Sequence, residues 1–529
     1  MDSNNTGLTL IKALSEPSAY QHEVAAVSII ETHISWVLLT GKYAYKIKKP
    51  VNFGFLDFST LEKRRFFCHE EVRLNQRLAA DLYLDIVPIT GTPDQPIMGG
   101  IGGAIEYAVR MIQFPAGFTL SERAESGQLG LGEIDQITSL IADFHETVDR
   151  ASEASPFGSS ECIKHWFVEN FGHIRPLLVD DKHKQQLQAI QTWGDGEWRS
   201  KAELMYLRKM QGYVRECHGD LHLSNMTLIN GKVTLFDCIE FNPKLRWIDV
   251  ISEVAFLVID LLHFGYDRYA YRLLNHYLQR TGDYQGVALL RYYLVYRALV
   301  CAKVTLLRHA QQYNDTAVSN QASLKYAAFA NLAEHFTQVG PVALIITHGY
   351  SGSGKTTSAG QLAEKTGAVQ IRSDLERKRL YGYQAIEHTG SGLDSGLYTQ
   401  EAGLKTYLHL ADCAKAVLKA GFSAIVDAAF LKAGQRDLFR QLAADCGVQF
   451  HIVDFQASNE ELSRRIRQRQ NDASEATLDV LQHQLQSAQP MSLEEQDYVI
   501  TINTESDNAL EVLMENFDGY LQQAQSGFF

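Results

Sequence analysis

The string GYSGSGKT at residues 349–356 restricts the fold of this chain more than any other stretch, because of what lies on either side of it. It follows the apolar run VALIITH and opens a helix-forming segment, TTSAGQLAEK. In that setting glycines let backbone N–H groups wrap phosphate oxygens at a helix N-terminus, a lysine reaches the outer phosphates and a hydroxyl holds Mg²⁺. Such a loop needs a buried strand to end and a helix to begin at it, which implies a parallel sheet with helices on both faces. The remaining sequence agrees: VALIITH, VQIR, SAIVDAAF, VQFHIVDF and YVITIN alternate with helical segments. A Gly-Ser linker would not sit between a hydrophobic strand and a helix. The candidate phosphate-contacting residues are Gly349, Ser351, Gly352, Ser353, Gly354, Lys355, Thr356 and Thr357; Lys355 also counts as catalytic and Thr356 as a metal ligand.

Upstream the periodicity changes. From about 245 to 337 it is helical and rich in aromatics, until QVGP at 338–341 breaks it. The expected division is therefore 1–338 and 339–529. Residues 24–115 read mostly as antiparallel strands around one helix, and 130–337 as mainly helical around the hairpin MTLINGKVTLF, whose Asn230-Gly231 pair suits a tight turn.

A second chemical signal precedes that hairpin, in ECHGDLHLSNMTLINGKVTLFDCIEF at 216–241. His218 and His222 are four apart, but Gly219 and the flanking strand signals disfavour a helix, and no further His or Cys completes a metal set. A kinase catalytic loop has the form H-x-D-x-x-x-x-N, in which the aspartate orients the substrate hydroxyl and accepts its proton while the asparagine holds Mg²⁺. His218, Asp220 and Asn225 fit, and Asp237, across the hairpin at the end of KVTLFD, supplies the second metal carboxylate.

HGDLHLSN followed by LFDCIEF resembles the aminoglycoside phosphotransferase and choline kinase branch of the protein-kinase-like fold. The resemblance covers about 20–335 and implies an α+β N-lobe (about 20–115) and a C-lobe (about 116–338). It also implies an ATP-binding lysine paired with a helix glutamate. Lys46 is the lysine candidate, with Lys48 on the same face as an alternative. The helix begins with an expected capping box from Ser59 to Glu62, and its inward acid is Glu71 rather than Glu70. RMIQFP at 110–115 would be the adenine-binding hinge. Three departures are visible: ETHIS at 31–35 lacks G-x-G-x-x-G, Cys238-Ile239 replaces Phe-Gly, and no A-P-E segment follows. They favour a small-molecule kinase without a switched activation loop, and leave a silent kinase-like module as the competitor.

IRSDLERKRL at 371–380 makes the C-terminal part, an α/β P-loop fold, similar to polynucleotide kinases, zeta-type toxins and gluconate-kinase-like enzymes. That likeness implies Asp374 as general base and Arg377 as a substrate-binding residue. The competing reading is a capping box from Ser373 to Glu376, with Asp374 merely favouring the helix N-terminus. Asp427, ending SAIVDAAF, stands where P-loop enzymes place a magnesium or substrate carboxylate. Arg465 and Arg469, one helical turn apart, are lid candidates, although Glu461 and Arg465 have equally the spacing of a surface pair.

At 529 residues and 45% hydrophobic the chain can bury several cores. Its net charge of −13, and 16 basic against 24 acidic residues over 339–529, speak against a long polynucleotide channel, so a nucleic-acid end is a less favoured acceptor than a small-molecule hydroxyl. Seven cysteines without a C-x-x-C pair suggest a reducing cytosol, and no run is long and apolar enough to span a bilayer. The expectation is a cytoplasmic enzyme, bifunctional, using ATP and Mg²⁺.

Overall fold

The computed structural model describes residues 3–54, 56–115, 117–312, 316–384, 387, 399–468 and 476–517. They form two compact units. One comprises residues 1–136, 143–162 and 206–253, the other 137–142, 163–205 and 254–529.

The first unit is built on an antiparallel sheet of six strands: β1 (Ser28–Glu31), β2 (Ser35–Leu39), β3 (Tyr43–Lys48), β4 (Tyr83–Thr92), β5 (Gln95–Met98) and β6 (Glu106–Ile112). Their order is β1-β2-β3-β6-β4-β5. Strand alternation sorts the two faces. Tyr45, Ile47 and Ala108 join Leu10, Leu14 and Trp36 in one core, while Ala44, Val109 and Met111 join Cys68 and Ala79 of the helix Leu61–Ala79 in another. Lys46 and Lys48 are in phase with Ala44, so β3 carries both lysines on the helix-covered face.

The helix is capped by Thr60, whose hydroxyl accepts the Lys63 N–H at 3.3 Å. The expected cap at Ser59 is thus displaced by one residue, because the Ser59 hydroxyl donates to Asp57 at 2.6 Å. β7 (Val214–Glu216) enters the HGDLHLSN loop, β8 (Met226–Ile229) and β9 (Lys232–Leu235) form the expected hairpin, and β10 (Trp247–Asp249) pairs antiparallel with β7. Asn230 and Gly231 take φ values of 52° and 76°, as a two-residue hairpin turn requires.

In the second unit all five expected apolar runs are strands: β11 (Ala343–His348), β12 (Val369–Arg372), β13 (Ala424–Asp427), β14 (Gln449–Gln456) and β15 (Val499–Asn503). They form one parallel sheet of order β12-β13-β11-β14-β15. The central β11 ends at the glycine loop, and the helix Lys355–Thr366 follows. β12 is an edge strand, and an edge leaves unpaired N–H and C=O groups. Here the helix Asp267–Thr281 covers it: Asn275 donates to Ala368 O at 3.0 Å and accepts from Gln370 N at 2.6 Å, as a neighbouring strand would. Arg268 and Arg272 of the same helix reach Glu364 at 2.7 and 2.6 Å. Among the described residues no helix is long and apolar enough to cross a membrane.

The base of the HGDLHLSN loop is fixed by a buried ion pair. Arg208 donates to the two carboxylate oxygens of Asp249 at 2.7 and 2.9 Å, with both side chains enclosed. Removing one partner strands the other charge, so Asp249→Ala is expected to lower the unfolding free energy of this unit by about 3–5 kcal/mol, read by urea denaturation.

Candidate active sites

In the first unit Glu71 has no solvent exposure. It receives Lys46 Nζ at 2.8 Å and Lys48 Nζ at 2.6 Å, one on each oxygen. Both lysine candidates therefore meet the glutamate, and their other contacts separate them. Lys46 also reaches Asp237 at 2.5 Å, and the Asp237 side chain is 41% exposed. Lys48 instead pairs with Glu240, and both are buried. Glu70 pairs instead with Arg73 and Arg246, away from the two lysines. Asp237 adopts φ 65°, unusual for a non-glycine residue. The Tyr83 hydroxyl accepts its N–H at 3.2 Å, and Asn75, buried on the helix, accepts the next N–H, from Cys238, at 2.9 Å.

The catalytic-loop candidates assemble around backbone bonds. Glu253 accepts the N–H groups of His218 and Gly219 at 3.1 and 2.6 Å, and lies 2.9 Å from His145 Nε2. His218 Nε2 donates to Phe236 O at 2.9 Å, tying the loop to the residue before Asp237, and its Nδ1 accepts from Asp220 N at 3.4 Å. With both ring nitrogens so engaged, His218 is not presented as a metal ligand. Asn225 donates to the carbonyl and the carboxylate of Asp220, each at 3.0 Å, and His222 Nε2 lies 3.2 Å from that carboxylate. Asp220 keeps 36% of its side chain exposed, so its carboxylate is open to solvent. The turn at 32–35 bonds to itself: Thr32 Oγ1 accepts from Ile34 N and Ser35 N at 3.3 and 3.0 Å.

In the second unit the cradle is shaped by backbone. Gly349 and Gly352 have φ 139° and 86°, and a Cβ on them would come within 2.6 Å of Phe455 O and 2.8 Å of Leu462 O. Only glycine fits both places. Ser353 Oγ is buried without a hydrogen-bond partner among the described residues, as suits a loop that closes on an anion's oxygens. Lys355 Nζ donates to Tyr350 O at 2.7 Å, and Ser351 N donates to Gln484 Oε1 at 2.9 Å. Thr357 is exposed at the helix start. Asp427 is buried at the end of β13. Burial pushes its carboxyl up, against the downward pull of Arg372, Lys355 and the Thr356 hydrogen bond, and Asp374 adds a smaller upward push. Lys355, Thr356, Asp374 and Asp427 thus share one neighbourhood, and this donor set suits Mg²⁺ and phosphate.

Asp374 and Arg377 lie on the short helix Ser373–Leu380, and the charges of both act on the Tyr407 hydroxyl. The competing capping box does not form: Arg372 is the N-cap and makes no side-chain cap bond, while Glu376 turns inward to His409 at 3.0 Å and to Arg379. Arg465 makes the pair with Glu461 at 2.6 Å and also reaches Gly352 O at 3.4 Å and Thr504 O at 3.0 Å, so it braces the loop. Arg469 lies outside the described residues. Sequence reasoning missed Glu240, Asn75, Gln370 and Gln484. A signal existed for Gln370, a lone amide inside the buried run VQIR.

Residues 344–491 match the family described as AAA domain. An uncharacterized protein of Mycobacterium tuberculosis is 31% identical over 457 residues, covering 86% of this chain and 88% of its own, and an uncharacterized Mycobacterium bovis protein matches equally. The chain belongs to their family. A sugar kinase from Janibacter is 23% identical over 36% of this chain and 99% of its own, with TM-score 0.28. A choline/ethanolamine kinase family protein from Mesorhizobium loti is 10% identical over 64% of this chain and all of its own, with TM-score 0.37. The fold is an α+β first unit built on the antiparallel sheet, and a second unit whose parallel sheet of five strands lies in the segment that matches the AAA domain.

Two outcomes follow from the paired lysines. Lys48→Met strands buried Glu240 and is expected to cost about 3–5 kcal/mol in urea unfolding, and Lys46→Met much less because Asp237 is open to water. Burial alone would raise the Glu71 carboxyl, but the charges and hydrogen bonds of Lys46 and Lys48 outweigh it and hold it at about 2. Its folded value thus lies below the roughly 4.3 of an unfolded glutamate, so its contribution to stability is fully present above that pH and is lost as pH falls toward 2. Urea midpoints measured from pH 5 to pH 2.5 should fall more steeply for the wild type than for Glu71→Gln.

Proposed function

We propose that this protein is an ATP- and magnesium-dependent phosphotransferase with two sites, each transferring the γ-phosphate to a hydroxyl. The observation that supports the reading is that two separate sets of side chains each have the residue types phosphoryl transfer needs. One joins Lys46, Glu71 and Asp237 and, on a single loop, Asp220 and Asn225. The other joins the glycine cradle, Lys355, Thr356 and Asp427 within the segment that matches the AAA domain.

At the first site Asp220 orients and deprotonates the acceptor, Asn225 and Asp237 hold magnesium, and Lys46, fixed by Glu71, binds phosphate oxygens. At the second, Gly349 and residues 351–357 bind the phosphates, Thr356 serves the metal, Asp427 serves the metal or the acceptor, Asp374 is the general base, Arg377 binds the acceptor, and Lys355 and Arg465 neutralise the phosphate being transferred. The acceptor at the first site is a small molecule. At the second it is a small molecule or a nucleotide, and an oligonucleotide end is less favoured given the acidic balance of 339–529. Domain limits of 1–338 and 339–529 remain part of this proposal.

A second reading has a specific observation behind it. The turn at 32–35 uses the Ile34 and Ser35 N–H groups on Thr32, so they are not offered to phosphate. In that reading the kinase-like part is silent and regulates the P-loop enzyme.

The deciding measurement is made in a Lys355→Ala background, which removes the P-loop site. Nucleotide binding should survive by calorimetry, and phosphate transfer to acceptors from a metabolite screen should fall about 10²- to 10⁴-fold on Asp220→Asn. A Lys355→Ala protein that binds no nucleotide would replace the two-site reading with the regulatory one.

A further inference from the structure

Gln370 lies in β12 with its side chain enclosed, only 4% of the residue being exposed. A buried amide is tolerated when both its ends are bonded. Its Nε2 donates to Asp427 Oδ2 at 3.2 Å and to Thr356 O at 3.3 Å, touching the carboxylate of the P-loop site and the peptide of its hydroxyl residue. Its Oε1 accepts from Gln279 Nε2 at 3.1 Å. Gln279 is itself buried on the helix Asp267–Thr281, one turn after Asn275, and the Gln279 carbonyl is held by Arg379 at 2.6 Å.

An amide side chain has a donor end and an acceptor end of nearly equal size, so its partners decide which way it points. Turned over, Gln370 would set its oxygen against the Asp427 carboxylate and its N–H against the N–H of Gln279. Asp427 Oδ2 and Thr356 O, both acceptors, exclude that orientation, and the Gln279 donor satisfies the oxygen end and holds the amide in place. Asn275 acts on the same strand one level down, through the backbone on either side of Val369.

We infer that Asn275 and Gln279 are positioning residues for the P-loop site, fixing the edge strand and the Gln370 amide and, through that amide, the Asp427 carboxylate. The inference rests on the reading of residues 349–357 and Asp427 as a nucleotide and metal site. It adds that the site is completed by a helix that precedes the P-loop segment, outside the stretch that matches the AAA domain.

The test uses the full chain carrying Lys46→Ala, which silences the other site, and measures affinity for a fluorescent ATP analogue in magnesium and in EDTA. Gln279→Glu keeps size and shape but turns an acceptor toward Gln370 Oε1. The expected result is a loss of about tenfold or more in the magnesium enhancement of affinity, the range for partners of metal ligands, with affinity in EDTA unchanged. Gln370→Leu, which cannot donate to Asp427, should lose the same enhancement, and Gln279→Leu, which cannot donate to Gln370 Oε1, takes the place of Gln279→Glu if circular dichroism finds that variant unfolded. Wild-type enhancement in either folded variant overturns the positioning role. If Lys355→Ala in the same background leaves analogue affinity unchanged, the nucleotide-site reading fails instead, and the inference falls with it.

Discussion

A carboxylate with no access to water has to be neutralised where it stands, and Glu71 is in that position. Period-two geometry brings two lysines of β3 to it from one face, and each then needs an acid on its far side. The result is a chain of five charged groups, Asp237, Lys46, Glu71, Lys48 and Glu240, that ties a strand, a helix and the segment after β9 together. Three carboxylates face two ammonium groups. Asp237 is the member most open to solvent, so water screens that end of the chain, while Glu240 at the other end is enclosed.

The two candidate sites solve similar problems by different means. The first depends on side-chain charge and on the bonds of Glu253 and His218, which hold a loop whose residues could otherwise form an ordinary polar turn. The second depends on backbone shape, since the approaches at Gly349 and Gly352 exclude any Cβ. Arg465 then fastens the cradle to the residue after β15 through Gly352 and Thr504.

The parts legible in the sequence were those governed by local rules. The five apolar runs became the five parallel strands, and Asn230-Gly231 made its turn, because burial and backbone preference act over a few residues. Glu71 was separable from Glu70 by helical phase alone. The parts that were not legible depend on partners far away in the chain. Lys48 acquires its role from Glu240, and Gln370 from Gln279, pairings for which no spacing rule exists. The cap expected at Ser59 and the competing box at Ser373 both fail for one cause: a hydroxyl or a carboxylate with a better partner leaves the helix end. Ser59 turned to Asp57 and Glu376 to His409 and Arg379.

The cover over β12 also bears on how the chain is made. Synthesis runs from the N-terminus, so Asn275 and Gln279 leave the ribosome roughly a hundred residues before the strand they serve. An edge strand of this kind, when bare, is a template for pairing with another chain. In this order of synthesis its partner is already present when it emerges, whereas a circular permutant beginning at β11 would release the strand first. The order of elements along the chain therefore makes the cover available to the strand from the moment it emerges.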